Sequence, residues 1–239
     1  MDSQIQGYRG VSTYNSVMNG SVKEFVNTCY PEFLYMDRNR YTFWPIAQDT
    51  FFASFMGVRY LISEKPDLDD TKYKYLRQFG QFFLYKNVKE ADIARFYENT
   101  VSEENLRKLC TGKKRKKNRE RILENYLVTE DGADISDLSE LTEIPEAQKK
   151  SAVTLDAAEK DSHLTGSVSA QADGYVMCMI PWEKGWTVTV DGEKVQTQKG
   201  DLGFLAFQVD KGEHQLELTY QVPGLKAGMA AGAVCWFIY

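Results

Sequence analysis

The stretch Tyr175-Val-Met-Cys-Met-Ile180, Pro181-Trp-Glu-Lys-Gly185, Trp186-Thr-Val-Thr-Val190, Asp191-Gly192 decides the fold. Its first six residues are apolar without alternation, as a central strand covered on both faces requires. Trp186, Val188 and Val190 then alternate with Thr187 and Thr189, the period of a half-buried strand. Asp191-Gly192 supplies a tight hairpin turn. The same period continues outward. Leu205, Phe207 and Val209 point one way, Asp210-Lys-Gly212 turns the chain, and His214, Leu216, Leu218 and Tyr220 line one face against Gln215, Glu217 and Thr219. Upstream, Ser151–Ala158 and His163–Ser169 read as two further strands. Six short strands separated by turn residues predict an antiparallel β-sandwich, jelly-roll-like, over residues 151–224.

The chain before residue 100 is aromatic and mixed. Ser21 with Glu24 three residues later predicts a capping-box helix start. Thr50–Met56 reads as a short buried helix stopped by Gly57. Val58–Ile62, Gln81–Tyr85 and Ile93–Tyr97 read as strands of one small unit, with Lys86-Asn87 as a turn. A helical, charged connector follows over 101–150. Ser102 and Glu103-Glu104 open a helix expected to reach Val128, broken at Gly112. Lys113–Arg121 holds seven basic residues in nine. It reads as a solvated helix face, with a polyanion or lipid-headgroup patch as the sharper alternative. No aromatic residue interleaves the run, as single-stranded nucleic-acid binding would want. Glu130–Glu146 carries seven acidic residues and no basic one, without the spacing of a calcium loop. It either folds back on the basic helix or serves as a linker.

Composition excludes several classes. The 239 residues are 43% hydrophobic and carry a net charge of −5. That is ordinary globular usage, too apolar for a disordered chain. The mildly acidic balance gives no global attraction to nucleic acid or anionic lipid. Cys29, Cys110, Cys178 and Cys235 form no metal or disulfide pattern. The run Ala227–Tyr239 has 13 uncharged, mostly apolar residues with Gly228-x-x-x-Gly232 inside it. A bilayer core needs about 20 residues, so residues 225–239 read as the start of a transmembrane helix cut short; the alternative is a buried C-terminal helix or strand. The fold class expected is therefore α+β: a mixed unit (1–100), a charged connector (101–150), a sandwich (151–224) and the start of a membrane helix.

No catalytic constellation is legible. His163 and His214 each read as structural, and no nucleotide loop, HExxH or GxSxG is present. No cofactor or metal is expected. The suggestive surface is the turn Pro181–Trp186, where Trp182 and Trp186 either stack on a sugar face or plug the sandwich core. Trp186 is in phase with Val188 and Val190, so Trp182 is the better candidate for exposure. Ser12, Tyr14, Asn15 and Ser16 form a polar cluster able to meet hydroxyls or phosphate, or simply to satisfy a loop.

Taken in order, Pro181-Trp-Glu-Lys-Gly-Trp186, Val190-Asp-Gly192, Gly212-Glu-His214, Leu218-Thr-Tyr220 and Pro223-Gly224 resemble the C-terminal end of the YfhO family of bacterial membrane proteins. Trp182 stands where that family usually has Tyr. Gly10-x-Ser12-x-Tyr14-Asn-Ser16, Met56-Gly-Val-Arg-Tyr-Leu-Ile62 and Leu84-Tyr-Lys-Asn87 extend the resemblance over nearly the whole chain, whereas the basic helix looks particular to this sequence. The resemblance implies an extracytoplasmic, C-terminal region of a polytopic GT-C-type glycosyltransferase in the cell membrane. Its implied partners are the lipid bilayer, a lipid-phosphate-linked sugar and a cell-envelope glycopolymer such as lipoteichoic acid, and no nucleic acid. The family's acidic catalytic residue is expected in membrane helices outside this chain, so no catalytic residue is carried over. The rival expectation is a non-enzymatic, membrane-anchored envelope module that binds glycan or protein.

Overall fold

The computed structural model describes residues 13–14, 19–31, 40–41, 49–89, 92–135, 143–157 and 162–238. Strand β1 (Thr13–Tyr14) is followed by helix α1 (Gly20–Cys29) and by β2 (Arg40–Tyr41), which pairs antiparallel with β1. The capping residue of α1 is Asn19 and not Ser21. The Asn19 side chain accepts from Ser21 N and Val22 N at 3.0 and 3.2 Å. That leaves the Ser21 hydroxyl to donate to the Trp182 carbonyl at 3.4 Å. Val22, Phe25, Val26 and Cys29 fall at helical spacing and are all buried.

Helix α2 (Thr50–Phe55) is capped by Asp49, whose carboxylate accepts from Phe52 N at 2.9 Å. It ends at Gly57, which takes the left-handed conformation (φ +70) that stops a helix. Strands β3 (Tyr60–Ser63), β4 (Tyr73–Phe79) and β5 (Phe82–Asn87) form an antiparallel sheet in the order β3-β5-β4. Lys86-Asn87, expected as a turn, continues β5 instead. Asn87 is buried there and donates to the Val58 carbonyl at 3.1 Å, which satisfies its amide within the sheet. Strand β4 was not legible because it is an edge strand, exposed at every position after Tyr73.

Strand β6 (Ala94–Tyr97) leaves this sheet and pairs with a strand of the sandwich, so it does not complete the small unit. Strand β7 (Asn99–Ser102) runs into helix α3 (Glu103–Leu109). Ser102 caps α3, accepting from Asn105 N at 3.2 Å and donating to Asp134 at 2.6 Å. The acidic segment thus begins by folding back on α3. Gly112 (φ +72) separates α3 from α4 (Arg115–Asn125). The expected helix to Val128 stops at Asn125, because Tyr126–Thr129 forms β8, parallel to β7, and buries Leu127 and Val128.

The basic run is only in part a solvated face. Lys113–Lys117 are exposed, but Asn118 and Arg119 are buried, Arg119 to 1% exposure. The Arg119 guanidinium lies 3.6 Å from the Tyr30 ring centroid, donates to the Cys29 carbonyl and sits 3.6 Å from the Asp49 carboxylate. Asp49 also pairs with Lys116 at 3.2 Å. One carboxylate therefore caps α2 and anchors α4.

After α5 (Glu146–Lys150) come β9 (Ala152–Ala157), β10 (His163–Ala170), β11 (Gly174–Pro181), β12 (Trp186–Val190), β13 (Glu193–Val195), β14 (Thr197–Gly200), β15 (Phe204–Val209) and β16 (Gly212–Tyr220). They form two antiparallel sheets, ordered β13-β12-β16-β10-β9 and β14-β15-β11-β6. Val168, Val176, Cys178, Val188, Leu205, Phe207, Leu216 and Leu218 pack between them. On its other face, the second sheet sends Met177, Phe204 and Ala206 into a separate core with Phe25, Phe52, Phe55, Leu106, Ile122 and Leu127. Strand β11 is apolar on both faces because both are covered.

Helix α6 (Leu225–Ile238) follows Gly224 and exposes Leu225, Met229 and Trp236. Its 14 residues span about 21 Å at 1.5 Å per residue. Among the described residues no helix is long and apolar enough to cross a membrane.

A buried carboxyl locks β8 to the sandwich. Asp201, in the left-handed conformation (φ 47) and fully buried, exchanges bonds with Val128: Asp201 N donates to Val128 O at 2.8 Å, and Val128 N donates to Asp201 Oδ1 at 2.9 Å. Burial pushes its pKa up to about 7, against lowering by the Val128 N–H and by Arg95. The folded state then holds a proton that the unfolded chain releases near pH 4. Stability from this group is full below pH 4 and falls as pH rises towards 7. Asn at 201 keeps the acceptor and tolerates the backbone. In urea titrations at pH 4 to 8, Asp201→Asn should gain on the wild type as pH rises, by at most about 4 kcal/mol. Separately, Arg119→Ala should cost about 3–5 kcal/mol, because it empties a fully buried site against Tyr30 and removes the donor to the Cys29 carbonyl, although Asp49 keeps Lys116, while Lys117→Ala should stay within about 0.5 kcal/mol.

Candidate functional site

Two places bring polar and aromatic groups together. The first is the Pro181–Trp186 turn at one end of the sandwich. Trp182 and Trp186 are both half-buried and pack against the same core. The Trp182 indole nitrogen is buried without a hydrogen-bond partner among the described residues, so the ring is turned inward. Trp186 lies 5.1 Å from Tyr220, its cross-strand partner.

Between the two tryptophans, Glu183 joins three elements. One oxygen accepts from the Asn19 amide and the other from the Tyr220 hydroxyl, each at 2.6 Å. The bond to Glu183 is also the first cause of the raised Tyr220 pKa. Asn19 thus caps α1 and grips the turn at once. Gly185 is required here, since a Cβ would lie 2.4 Å from the Gln221 carbonyl. At the far end of the sheet, His214 bridges two turns. Its Nδ1 lies 2.7 Å from Asp191 and its Nε2 3.1 Å from the Asp210 carbonyl. These contacts raise its pKa, Asp191 foremost. Of the polar N-terminal cluster, Tyr14 lies in β1 opposite Arg40, while Ser12, Asn15 and Ser16 fall outside the described residues.

The second place is a cleft of about 470 Å³ between α2, β6 and the end of α4, lined by Phe51, Ser54, Phe55, Lys89, Asp92, Arg95, Tyr97, Leu123 and Glu124. Phe51 and Phe55 are stacked at 6.0 Å, one helical turn apart. Arg95 lies 4.8 Å over the Phe55 ring and donates to the Ser54 carbonyl at 2.7 Å. Lys89 lies 5.7 Å over Phe51. Asp92 is held on the rim by Arg59 at 3.1 Å. Tyr97 is a wall rather than a reagent: it donates to the Leu123 carbonyl at 2.8 Å, and burial pushes its pKa well up. Phe55 is 1% exposed and belongs to the core beneath the cleft, so the ring a ligand can meet is the half-buried Phe51. One aromatic ring beside two cations suits a ligand carrying both a sugar ring and an anionic group. The two rim carboxylates can accept from hydroxyls.

Sequence reasoning missed this cleft because its residues come from four separate segments. The one local signal was Phe51 and Phe55 at i and i+4, which read simply as a buried helix.

A family model described as "Bacterial membrane protein YfhO" matches residues 2–134 and 136–231. The chain is also similar to the "Uncharacterized protein YfhO" of Bacillus subtilis (strain 168), 38% identical over 65 residues, which are 27% of this chain and 8% of that protein. No solved structure matches.

The Glu183 clamp makes a measurable demand on the first place. Glu183→Ala frees two half-buried donors and should lower stability by about 1–2 kcal/mol. It should also red-shift tryptophan emission as Trp182 and Trp186 loosen, whereas Glu183→Gln, which still accepts from one of them, should lose about half as much.

Proposed function

Because the chain belongs to the YfhO family of bacterial membrane proteins, we propose that it is an extracytoplasmic region of a polytopic membrane glycosyltransferase. The parent moves a sugar from a lipid-phosphate carrier onto a cell-envelope polymer such as lipoteichoic acid. The described region acts as an accessory to that chemistry. It holds an anionic glycan, as acceptor or as the sugar-phosphate end of the donor, and leaves bond breaking to membrane-embedded groups outside this chain.

The observation that carries this reading is the cleft, where the half-buried Phe51 stands beside Lys89 and Arg95 over the buried Phe55. Helix α6 supports the setting. It leaves the last sandwich strand through Pro223-Gly224 and exposes Met229 and Trp236, a surface suited to lipid. Trp182 and Trp186 offer a second aromatic contact on the sandwich.

The test is an NMR titration of the chain with glycerol-phosphate oligomers bearing sugars. Amide shifts should gather at Phe51, Lys89, Asp92 and Arg95. Arg95→Ala should raise the Kd by roughly tenfold, the loss of one charge-assisted bond. Shifts confined to Trp182 and Trp186 would move the site to the turn, and none at millimolar ligand would overturn glycan holding. Binding that survives while the parent's transfer activity is indifferent to Arg95→Ala would leave a non-enzymatic glycan-binding module.

A further inference from the structure

The β3-β5-β4 sheet has an outer face that the fold leaves open. Cross-strand partners share a face, so the register reads out its rows. Phe79 opposes Phe82. Ile62, Leu84 and Arg77 form the next row, and Tyr60, Lys86 and Lys74 the third. This face therefore holds aromatic and aliphatic side chains with three cations and no carboxylate. Tyr60, Ile62 and Phe79 are 57, 52 and 42% exposed.

The opposite face behaves differently. Leu61 packs on the helical core, and Tyr73 and Tyr85 are buried. The Tyr85 hydroxyl donates to the carbonyls of Lys65 and Pro66. The loop that joins β3 to β4 thus passes the inner face at Tyr85 and carries both signs of charge, with Lys72 paired to Asp69 at 3.1 Å. The outer face, whose strand residues carry cations alone, stands out in a chain whose net charge is −5.

Lys74 and Lys86 are direct register partners. Like charges directly opposite one another destabilise a strand pair. Among the described residues no carboxylate on this face offsets that repulsion, so an anionic partner is the chemistry that would. At the tip, Phe79 and Phe82 flank the Gly80-Gln81 turn, with Gly80 at φ +58. An aromatic tip beside a basic row is the pattern of side chains that settle at a bilayer interface.

We propose that the outer face of this sheet docks on an anionic phospholipid surface, with the Phe79–Phe82 tip at headgroup level and Lys74, Arg77 and Lys86 over lipid phosphates. The inference rests on membership of a membrane-protein family and not on glycosyl transfer, so it survives the failure of the glycan reading. It adds a second membrane contact, distant in sequence from α6.

The test places an environment-sensitive fluorophore at Gln81→Cys, or in a separate sample at Met229→Cys on α6, with Cys110 and Cys235 replaced by Ser. Phosphatidylglycerol vesicles should blue-shift the probe at 81. Phosphatidylcholine vesicles should not, and raising salt to about 0.5 M should reverse the shift. Lys74→Glu puts opposite charges across the pair. It should raise Tm while weakening the vesicle response, and Lys74→Glu with Lys86→Glu should weaken it about tenfold or more. A merely structural role for these lysines would not separate Tm from binding in this way. If the double variant fails to fold, the single one still decides. The proposal is overturned if the probe at 229 enters lipid while the probe at 81 stays aqueous, or if 81 responds equally to both lipids.

Discussion

Everything in this molecule is referred to the burial of one sheet on both sides. Strand β11 sends Val176 and Cys178 into the sandwich and Met177 into the helical core. Its neighbour β15 divides in the same way, with Leu205 and Phe207 on one side and Phe204 and Ala206 on the other. A sheet so covered must be apolar at nearly every position. The helices α1 to α4 are consequently a third layer on the sandwich rather than a neighbour beside it. Three polar links in and around this third layer each do two jobs. Asn19 caps a helix and holds Glu183. Asp49 caps another and faces Arg119. Asp201 ties β8 to the β14–β15 turn.

That central constraint was written plainly in the sequence, which is why the strands it touches were the ones that could be read. Tyr175–Ile180, Trp186–Val190, Leu205–Val209 and His214–Tyr220 all appear within a residue or two of their expected places. Three of the strands that escaped notice share one property. β4, β13 and β14 are edge strands, largely polar or exposed, and edges have little need of apolar alternation. Strand β8 escaped for another reason. Its residues fit the end of a helix equally well, and only a distant parallel partner, β7, makes them extended.

The candidate sites were less legible than the fold, for a related reason. The tryptophan turn is contiguous, so it could be seen, but the inward tilt of Trp182 depends on Glu183 being gripped from Asn19, 164 residues away. The cleft is assembled from α2, β6, α4 and the segment after β5. Each contributes two or three residues that are unremarkable where they stand. The open face of the β3-β5-β4 sheet is intermediate. Its residues are local, yet the row of cations appears only when strand register decides which side each faces.

The pairing of β6 with β11 has a consequence for how the chain acquires its shape. Tyr97 and Tyr175 are register partners 78 residues apart. Closing so long a loop carries an entropic cost that local contacts must meet in advance. The helices α1 to α4 cannot finish their packing early, because Phe204, Ala206 and Met177 complete their core. A nascent chain emerging N-terminus first must therefore hold half a core open until the last hairpin arrives. Speed of assembly, and exposure to aggregation while waiting, are set by the most distant strand pair rather than by the most stable one.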